Sequence, residues 1–274
     1  MSLQTLVDAT TVRDWLTQDR SVRILDCRAR LGDPDAGRRL WREGHLPGSR
    51  HLDLEADLSD PAGEGGRHPL PDPGRFTATL HRLGITPAVP VIVYDDAGGQ
   101  LAAARAWWLL HVWAGHPDVR VLDGGIAAWQ DAGGALESGE PVAPVAASNW
   151  EPTFDGTAWI SADTVAKGEL TLVDARTRER YRGEVEPIDP VAGHIPEAVC
   201  RPSAANLDAE GRFKTPSRLD AELPQSEASY CGSGVTACHN ILAYAIAGRA
   251  LPKLYAGSWS HWIRDPARPV ATGD

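Results

Sequence analysis

The sequence carries one pattern twice, and this internal repeat limits the possible folds more than any other feature. Each copy opens with a short apolar segment that ends in Asp-x-Arg, at residues 22–28 and again at residues 170–176. A Gly-His-x-Pro turn, a second apolar segment, an apolar helical stretch and a third short strand follow in the same order. Because strands alternate with helices, each copy predicts a mostly parallel sheet flanked by helices, and hence an α/β fold of two tandem domains.

The length of the chain fits this division. Its 274 residues are enough for two domains of ordinary size. The stretch from Gly133 to Gly156 is rich in Gly, Pro, Ala and Ser and lacks clear periodicity, which is typical of a linker. We therefore predict a first domain over residues 1–140, a linker over 141–156 and a second domain over 157–274.

The second copy has a cysteine where its second strand ends. Residues 230–237 read Tyr-Cys-Gly-Ser-Gly-Val-Thr-Ala, and an apolar helical stretch follows at once. Gly232 and Gly234 allow the backbone to curl so that several N–H groups point inward. The start of the helix adds free N–H groups and the positive end of its dipole. Such a loop favours a thiolate, so Cys231 is predicted to be a nucleophile rather than a buried structural cysteine.

The first copy lacks this cysteine. When Tyr94 is aligned with Tyr230, Asp95 falls at the position of Cys231. A carboxylate cannot act as a sulfur nucleophile, so we expect the first domain to be catalytically silent.

The loop from Cys231 to Thr236 resembles the active-site loop of the two-domain rhodanese superfamily, in particular its 3-mercaptopyruvate sulfurtransferase branch, which reads Cys-Gly-Ser-Gly-Val-Thr. The repeat extends the resemblance over nearly the whole chain, which implies two rhodanese-like domains. It also implies that Cys231 takes sulfur from a small-molecule donor, holds it as a persulfide and passes it on. The thiosulfate-using branch has cationic residues in this loop, but none lies between Cys231 and Ala237. The expected donor is therefore 3-mercaptopyruvate, with pyruvate as coproduct.

The loop itself supplies most of the expected substrate contacts. Backbone N–H groups of Gly232, Gly234, Val235 and Thr236 are expected to stabilise the persulfide and the charge that develops on the attacked sulfur. The hydroxyl groups of Ser233 and Thr236 can add hydrogen bonds. Thr236 could equally be a local cap of the following helix.

Arginines are expected to bind the carboxylate of the donor. The resemblance assigns this role to Arg180, in an Arg-aromatic pair after the second Asp-x-Arg strand. The family often has a further arginine after a Glu-Pro pair, but here Ile188 follows Glu186-Pro187. Arg182 is the candidate substitute, although either arginine could be a solvated loop charge.

The resemblance further implies that a histidine and an aspartate of the first domain polarise Ser233, as in a hydrolase triad. His45, in the first Gly-His-x-Pro turn, is the candidate histidine. We take Asp35 in preference to Asp33 as the candidate acid. His194 occupies the equivalent turn of the second copy, so His45 could instead simply stabilise its own turn.

Composition narrows the possible partners. The net charge is −10 and no long basic run occurs, so neither nucleic acid nor an anionic membrane is an expected partner. No apolar run of 18 residues and no signal peptide pattern are found. The four cysteines form no CxxC pair, which favours reduced thiols and a cytoplasmic protein. No cluster has metal-ligand spacing, so neither a metal nor another cofactor is expected.

Three other functions remain open. A thiosulfate sulfurtransferase would have the same fold. A persulfide carrier would load sulfur without multiple turnover. A cysteine phosphatase needs an arginine that closes a Cys-x5-Arg loop, and Ala237 stands at that position. The expected sulfur acceptor is a thiol, cyanide or a thioredoxin-like protein.

Overall fold

The computed structural model describes residues 5–140 and 145–274, so residues 141–144 of the predicted linker lie outside the described residues. The chain divides into two units. The first comprises the described residues up to Asp60 together with Pro71–Asp155 and Ala209–Phe213. The second comprises Pro61–Leu70, Gly156–Asp208 and Lys214–Asp274. Residues 61–70 of the second unit therefore lie within the sequence of the first, and residues 209–213 of the first unit lie within the sequence of the second.

The first unit is built on a five-stranded parallel sheet with the order β1-β5-β4-β2-β3. Its central strand β4 is buried along its whole length, as an apolar strand covered by helices on both faces should be. The strands are β1 (Leu6–Val7), β2 (Arg23–Asp26), β3 (Arg50–His51), β4 (Val91–Tyr94) and β5 (Val119–Leu122). The helices are α1 (Ala9–Thr17), α2 (Ala36–Glu43), α3 (Pro73–Arg82), α4 (Ala102–Trp107), which continues as a π-helical segment (Trp108–Trp113), and α5 (Gly125–Asp131).

The second unit repeats this plan with four parallel strands in the order β7-β6-β8-β9. The strands are β6 (Leu172–Asp174), β7 (Val199–Cys200), β8 (Ala228–Tyr230) and β9 (Lys253–Leu254). The helices are α6 (Ala162–Ala166), α7 (Arg178–Arg182), a 3-10 turn (Ser203–Asn206), α8 (Pro216–Glu222), α9 (Thr236–Ile246) and α10 (Ser258–Trp262). The predicted α/β fold with a repeated parallel sheet is confirmed.

The repeated sequence motifs contact one another in the same way in both units. Arg28 forms an ion pair with Asp26 (2.6 Å) and donates to the carbonyl of Gly44 (2.6 Å). In the second unit Arg176 pairs with Asp174 (2.7 Å) and donates to the carbonyl of Gly193 (2.7 Å). The Asp-x-Arg motif therefore fastens the Gly-His-x-Pro turn to the sheet.

The tyrosine that ends each central strand completes this framework. The hydroxyl of Tyr94 donates to Asp26 (2.7 Å) and accepts the N–H of Leu46 in the turn (3.2 Å). Burial raises the pKa of Tyr94, which keeps the hydroxyl protonated as a donor. The hydroxyl of Tyr230 likewise accepts the N–H of Ile195 (3.1 Å).

Asp95 follows β4 and is fully buried at the carboxyl end of the first sheet. One carboxylate oxygen accepts the N–H groups of Ala97 (2.9 Å) and Gly99 (2.8 Å). The other accepts those of Leu101 and Ala103, both at 3.3 Å. Burial raises the pKa of Asp95, whereas the backbone donors act to lower it. The carboxylate thus lies in the curled backbone at the start of α4 and satisfies four of its N–H groups.

We predict that Asp95→Ala lowers the free energy of unfolding by about 3 kcal/mol, because the buried N–H groups lose their acceptor. Asp95→Asn should cost less, since one amide oxygen remains. The measurement is urea denaturation followed by tryptophan fluorescence.

The matched control is the neighbouring Asp96→Ala. Asp96 pairs with Arg30 at the surface, so its loss should cost about 1 kcal/mol or less. Equal losses for the two alanine variants would contradict a structural role of Asp95.

Candidate active site

Cys231 lies directly after β8, at the carboxyl end of a central strand of the second sheet. Its residue surface is 2% exposed. The N–H of Gly234 donates to its Sγ at 3.1 Å. The helix α9 begins at Thr236, two residues after Gly234, and the intervening Val235 is buried. The loop thus curls around the sulfur atom and directs a backbone donor at it.

Residues at the start of α10 form hydrogen bonds with the backbone of this loop. The N–H of Cys231 donates to the hydroxyl of Ser258 (3.1 Å), and the carbonyl of Cys231 accepts the N–H of Trp259 (3.0 Å). The carbonyl of Gly232 accepts the N–H of Ser260 (2.9 Å). Ser258 is fully buried and has a φ of +53°, a left-handed conformation that is uncommon outside glycine. The first two carbonyl groups of the loop are therefore already bonded to α10.

A second segment of the same unit reaches the loop from residues 61–70. His68 and Ser233 are both buried, and the His68 Nδ1 atom lies 2.8 Å from the Ser233 Oγ atom. The N–H of Arg67 donates to the hydroxyl of Ser260 (3.1 Å). The sequence prediction missed this segment because it has no periodicity. The only signal was an Arg-His pair between glycines and prolines. Such a pair in a loop could have indicated a site, because binding residues often lie on loops.

The structure gives Ser233 a different histidine from the predicted His45. The Nδ1 atom of His45 donates to the carbonyl of Trp41 at the end of α2 (2.7 Å). His194 makes the equivalent bond to the carbonyl of Tyr181 (2.8 Å). Both turn histidines therefore bind the preceding helix of their own unit, as expected if His45 stabilises its own turn. Asp35, the predicted acid, is exposed at the N-terminus of α2.

Arg180 is held by two buried carboxylates. Its guanidinium donates to Glu186 (2.7 and 3.1 Å) and to one oxygen of Asp189 (3.1 Å). The other oxygen of Asp189 is paired with the guanidinium of Arg67. Burial raises the pKa of Glu186, but the bonds from Arg180 and from backbone N–H groups outweigh it, so the pKa lies below its usual range. Two guanidinium groups and two carboxylates thus form one cluster of ion pairs, with as many positive as negative groups.

The two guanidinium groups converge beside Gly232. A Cβ atom built at Gly232 would lie 3.0 Å from Nη2 of Arg67 and 3.5 Å from both terminal nitrogens of Arg180. The absence of a side chain at Gly232 therefore allows both guanidinium groups to approach the backbone next to Cys231.

Arg182 is directed elsewhere. Its Nε donates to the carboxylate of Asp274 (2.8 Å), and the side chain is partly exposed. Ile188, where the family often has an arginine, is 46% exposed and contributes its N–H to Glu186 (3.1 Å). Neither residue contacts Gly232 in the way that Arg67 and Arg180 do.

Burial raises the pKa of two of the remaining cysteines. Burial and the neighbouring Asp26 raise the pKa of Cys27 well above its usual value. Burial raises the pKa of Cys200 to about 11. The thiol of Cys238, in the first turn of α9, lies 3.3 Å from the carbonyl of Gly234. Cys27 and Cys200 therefore stay protonated at neutral pH.

The described residues contain no group of three or more His, Cys, Asp or Glu side chains arranged to hold a metal ion. Over the same residues, no helix combines the length and the apolar character needed to cross a bilayer.

Comparison with known proteins identifies the family. The model of the rhodanese-like domain matches residues 8–132 and again residues 158–265. The chain belongs to the rhodanese family. Its two matched regions correspond to the two copies of the repeat, and the expected resemblance is confirmed.

Relatives within the rhodanese family cover nearly the whole chain. A protein of Pseudomonas aeruginosa named probable 3-mercaptopyruvate sulfurtransferase is 50% identical, and the match covers 92% of each chain. A protein of Mycobacterium tuberculosis named putative thiosulfate sulfurtransferase SseB is 42% identical over 98% of each chain. Among solved structures, the 3-mercaptopyruvate sulfurtransferase from Leishmania major has a TM-score of 0.84 at 30% identity, covering 96% of this chain and 76% of that one.

The two loop glycines give a test of how the loop is built. Gly234 has a φ of +79°, and a Cβ atom there would lie 2.3 Å from the backbone oxygen of Ala256. We predict that Gly234→Ala lowers the free energy of unfolding of the second unit by about 2 kcal/mol or more. At Gly232 a Cβ atom would approach the ends of two arginine side chains, at 3.0 and 3.5 Å, rather than backbone atoms. These ends need to shift by only a few tenths of an ångström within their ion pairs, so Gly232→Ala should cost about 1 kcal/mol or less. Urea denaturation measures both, and similar losses would show that the strain is not specific to Gly234.

Proposed function

We propose that this chain is a sulfurtransferase that moves the sulfur of 3-mercaptopyruvate to a thiol or cyanide acceptor through a persulfide on Cys231. The main support is the environment of Cys231. Its sulfur accepts a backbone N–H in a loop without charged side chains. The next residue is Gly232, which two guanidinium groups flank. The relatives named for this activity, at 50% and 30% identity, support the same donor.

The first step transfers one sulfur atom. The Cys231 thiolate attacks the donor sulfur, an S–S bond forms, and the C–S bond breaks with its electron pair moving into the enolate of pyruvate. The proton of the donor thiol balances the equation when the enolate becomes the methyl group of pyruvate. Ser233, hydrogen-bonded to His68, is the hydroxyl group placed in the loop to pass or donate this proton. The N–H of Gly234 and its neighbours in the loop stabilise the anionic persulfide.

The second step returns the enzyme to its starting state. An acceptor thiolate or cyanide attacks the outer sulfur of the persulfide, the S–S bond breaks, and its electron pair returns to Cys231 as a thiolate. Cyanide yields thiocyanate, and a small thiol or a thioredoxin-like protein yields a new persulfide.

The charge balance favours a donor with one negative charge. Arg67 and Arg180 are neutralised by Asp189 and Glu186, so the site offers no excess positive charge to the doubly charged thiosulfate. Thiosulfate remains the second candidate donor because the mycobacterial relative bears that name.

Free thiols fit a reducing compartment. None of the four cysteines forms a disulfide in the described part of the chain, and a persulfide survives where thiols stay reduced. We propose the cytoplasm as the site of action.

The nucleophile is tested by Cys231→Ser. We predict that the wild type releases pyruvate from 3-mercaptopyruvate and that the variant releases none above background. Without an acceptor, the wild type should gain the mass of one sulfur atom, whereas the variant should not. A higher kcat/KM with thiosulfate than with 3-mercaptopyruvate would reverse the donor assignment. If Cys231 gains sulfur but the protein does not turn over repeatedly with any acceptor, the protein is a persulfide carrier.

The proton-transfer role is tested by comparing two histidines. We predict that His68→Gln lowers kcat about 100-fold or more, because Ser233 loses its partner. His45→Gln is made in parallel, and urea denaturation of both variants separates loss of activity from loss of folded protein. A large fall in kcat for folded His45→Gln, with His68→Gln unaffected, would return the role to the histidine predicted from the sequence.

A further inference from the structure

The helix α10 contains two buried tryptophans whose indole N–H groups bond to different parts of the second unit. The indole of Trp262 donates to the carbonyl of Pro269, in the chain that follows the helix (2.9 Å). The indole of Trp259 donates to the carbonyl of Val191, between α7 and the Gly-His-x-Pro turn (2.8 Å). Of these two bonds, the second reaches the segment that holds Arg180.

The internal repeat shows which of the two tryptophans belongs to the shared fold. When the first residues of α5 and α10 are aligned, Trp262 corresponds to Trp129. The indole of Trp129 also donates to a carbonyl beyond its own helix, that of Ala135 (2.9 Å). In the same alignment Trp259 corresponds to Ile126. The tryptophan at 262 therefore makes a contact that both units use, whereas the one at 259 is specific to the copy with the cysteine.

The backbone of Trp259, in contrast to its side chain, makes a contact that both units share. Its N–H donates to the carbonyl of Cys231 (3.0 Å), as the N–H of Ile126 donates to the carbonyl of Asp95 (3.1 Å). This backbone support therefore does not require a tryptophan. The indole adds a second N–H, so that one residue bonds to the carbonyl of the nucleophile and to that of Val191.

The segment bonded by the indole carries the groups that hold Arg180. Residues 183–192 contain no helix or strand, so their position depends on bonds to neighbouring elements. Glu186 and Asp189 lie in this segment and bond to the guanidinium of Arg180 at 2.7 and 3.1 Å. Val191 follows Asp189 by two residues. The indole bond therefore fixes the end of the segment that is next to this carboxylate.

The indole ring is itself held in place. Its residue is fully buried, and the guanidinium of Arg176 lies over the ring, 4.7 Å from the ring centroid. Arg176 in turn pairs with Asp174 and donates to the carbonyl of Gly193, both at 2.7 Å. A buried aromatic ring with one polar atom is rigid and directional. It can therefore transmit the position of α10 to the segment at residues 183–192.

We propose that Trp259 is a positioning residue of the donor site: its indole N–H sets the distance between the loop at Cys231 and the segment that holds Arg180, and thereby the affinity for 3-mercaptopyruvate. This inference rests on the proposed function for the identity of the donor. Trp262, on the same helix, has a structural role that is common to both units.

Two substitutions separate the hydrogen bond from the bulk of the ring. Trp259→Phe keeps an aromatic ring and the backbone N–H but removes the indole donor. Trp259→His keeps a donor, because its imidazole overlays the five-membered ring of indole and places Nε2 where Nε1 lies. We expect KM for 3-mercaptopyruvate to rise about 5-fold or more in Trp259→Phe and about 3-fold or less in Trp259→His, with kcat changed by less than about 2-fold in both.

The same two variants should rank in the opposite order of stability. Trp259→His removes more buried apolar volume, so its midpoint of urea denaturation should fall further than that of Trp259→Phe. If the tryptophan were merely structural, the rise in KM would follow the loss of stability. Trp262→Phe is the matched control, because it removes an equivalent bond from the same helix. It should change KM and kcat by less than about 2-fold.

Hydrogen exchange followed by mass spectrometry tests the positioning without any donor. Trp259→Phe should raise the exchange rates of amides in peptides from residues 183–192 about 5-fold or more, because the segment loses a bond to α10. Peptides that cover residues 231–236 should exchange as in the wild type, since the backbone bond to Cys231 is retained. Trp262→Phe should leave both regions unchanged.

The outcomes are distinct. An unchanged KM or unchanged exchange at residues 183–192 in Trp259→Phe overturns the inference. An equal rise in KM in Trp262→Phe, or a larger one in Trp259→His, also overturns it. If Trp259→Phe does not fold, Trp259→His decides, and a rise in its KM above about 3-fold contradicts the inference. If the wild type releases no pyruvate but the exchange changes as expected, the proposed function fails and the positioning role stands.

Discussion

The buried ion pair between Asp174 and Arg176 is the interaction on which the rest of the second unit depends. Two oppositely charged groups taken out of water are stable only when all their hydrogen bonds are made. Arg176 meets this condition, because it also donates to the carbonyl of Gly193, lies 3.4 Å from Glu186 and stacks on Trp259. The pair therefore connects the end of β6 to the turn, to α10 and to the carboxylate that holds Arg180.

From this pair a row of alternating charges runs to the loop at Cys231. Arg176 contacts Glu186, Glu186 holds Arg180, and Asp189 lies between Arg180 and Arg67. Each charge is fixed by opposite neighbours, so the guanidinium groups beside Gly232 are ordered before any ligand arrives. Preorganised charges of this kind lose little energy to rearrangement when a substrate binds. In the first unit Arg28 likewise pairs with Asp26 and donates to the carbonyl of the turn glycine, Gly44.

The features predictable from the sequence were those that repeat or lie close together along the chain. The two parallel sheets followed from strand and helix alternation, and the loop after Cys231 was readable because its glycines and the following helix are contiguous. Arg180 was a candidate because it follows a repeated motif. His68 and Arg67 were not found, because they reach the loop from more than 160 residues away in the sequence. The repeat also favoured His45, although a histidine that recurs in both turns serves the turn itself.

The comparison of Asp95 with Cys231 shows how one backbone loop can serve two purposes. Both residues follow the tyrosine of a central strand, and both accept N–H groups from the residues that follow. In the first unit the carboxylate fills the loop with four hydrogen bonds and is fully buried. In the second unit the larger and softer sulfur atom of Cys231 accepts the N–H of Gly234 and can form a new covalent bond.

The segment at residues 61–70 has a consequence for how the second unit is encoded. It belongs to the second unit, yet it is encoded in the midst of the first. A polypeptide divided at the linker would keep Cys231 and Arg180 but lose Arg67 and His68. A gene that encodes only the residues after the linker would therefore specify a second unit without one of its own segments.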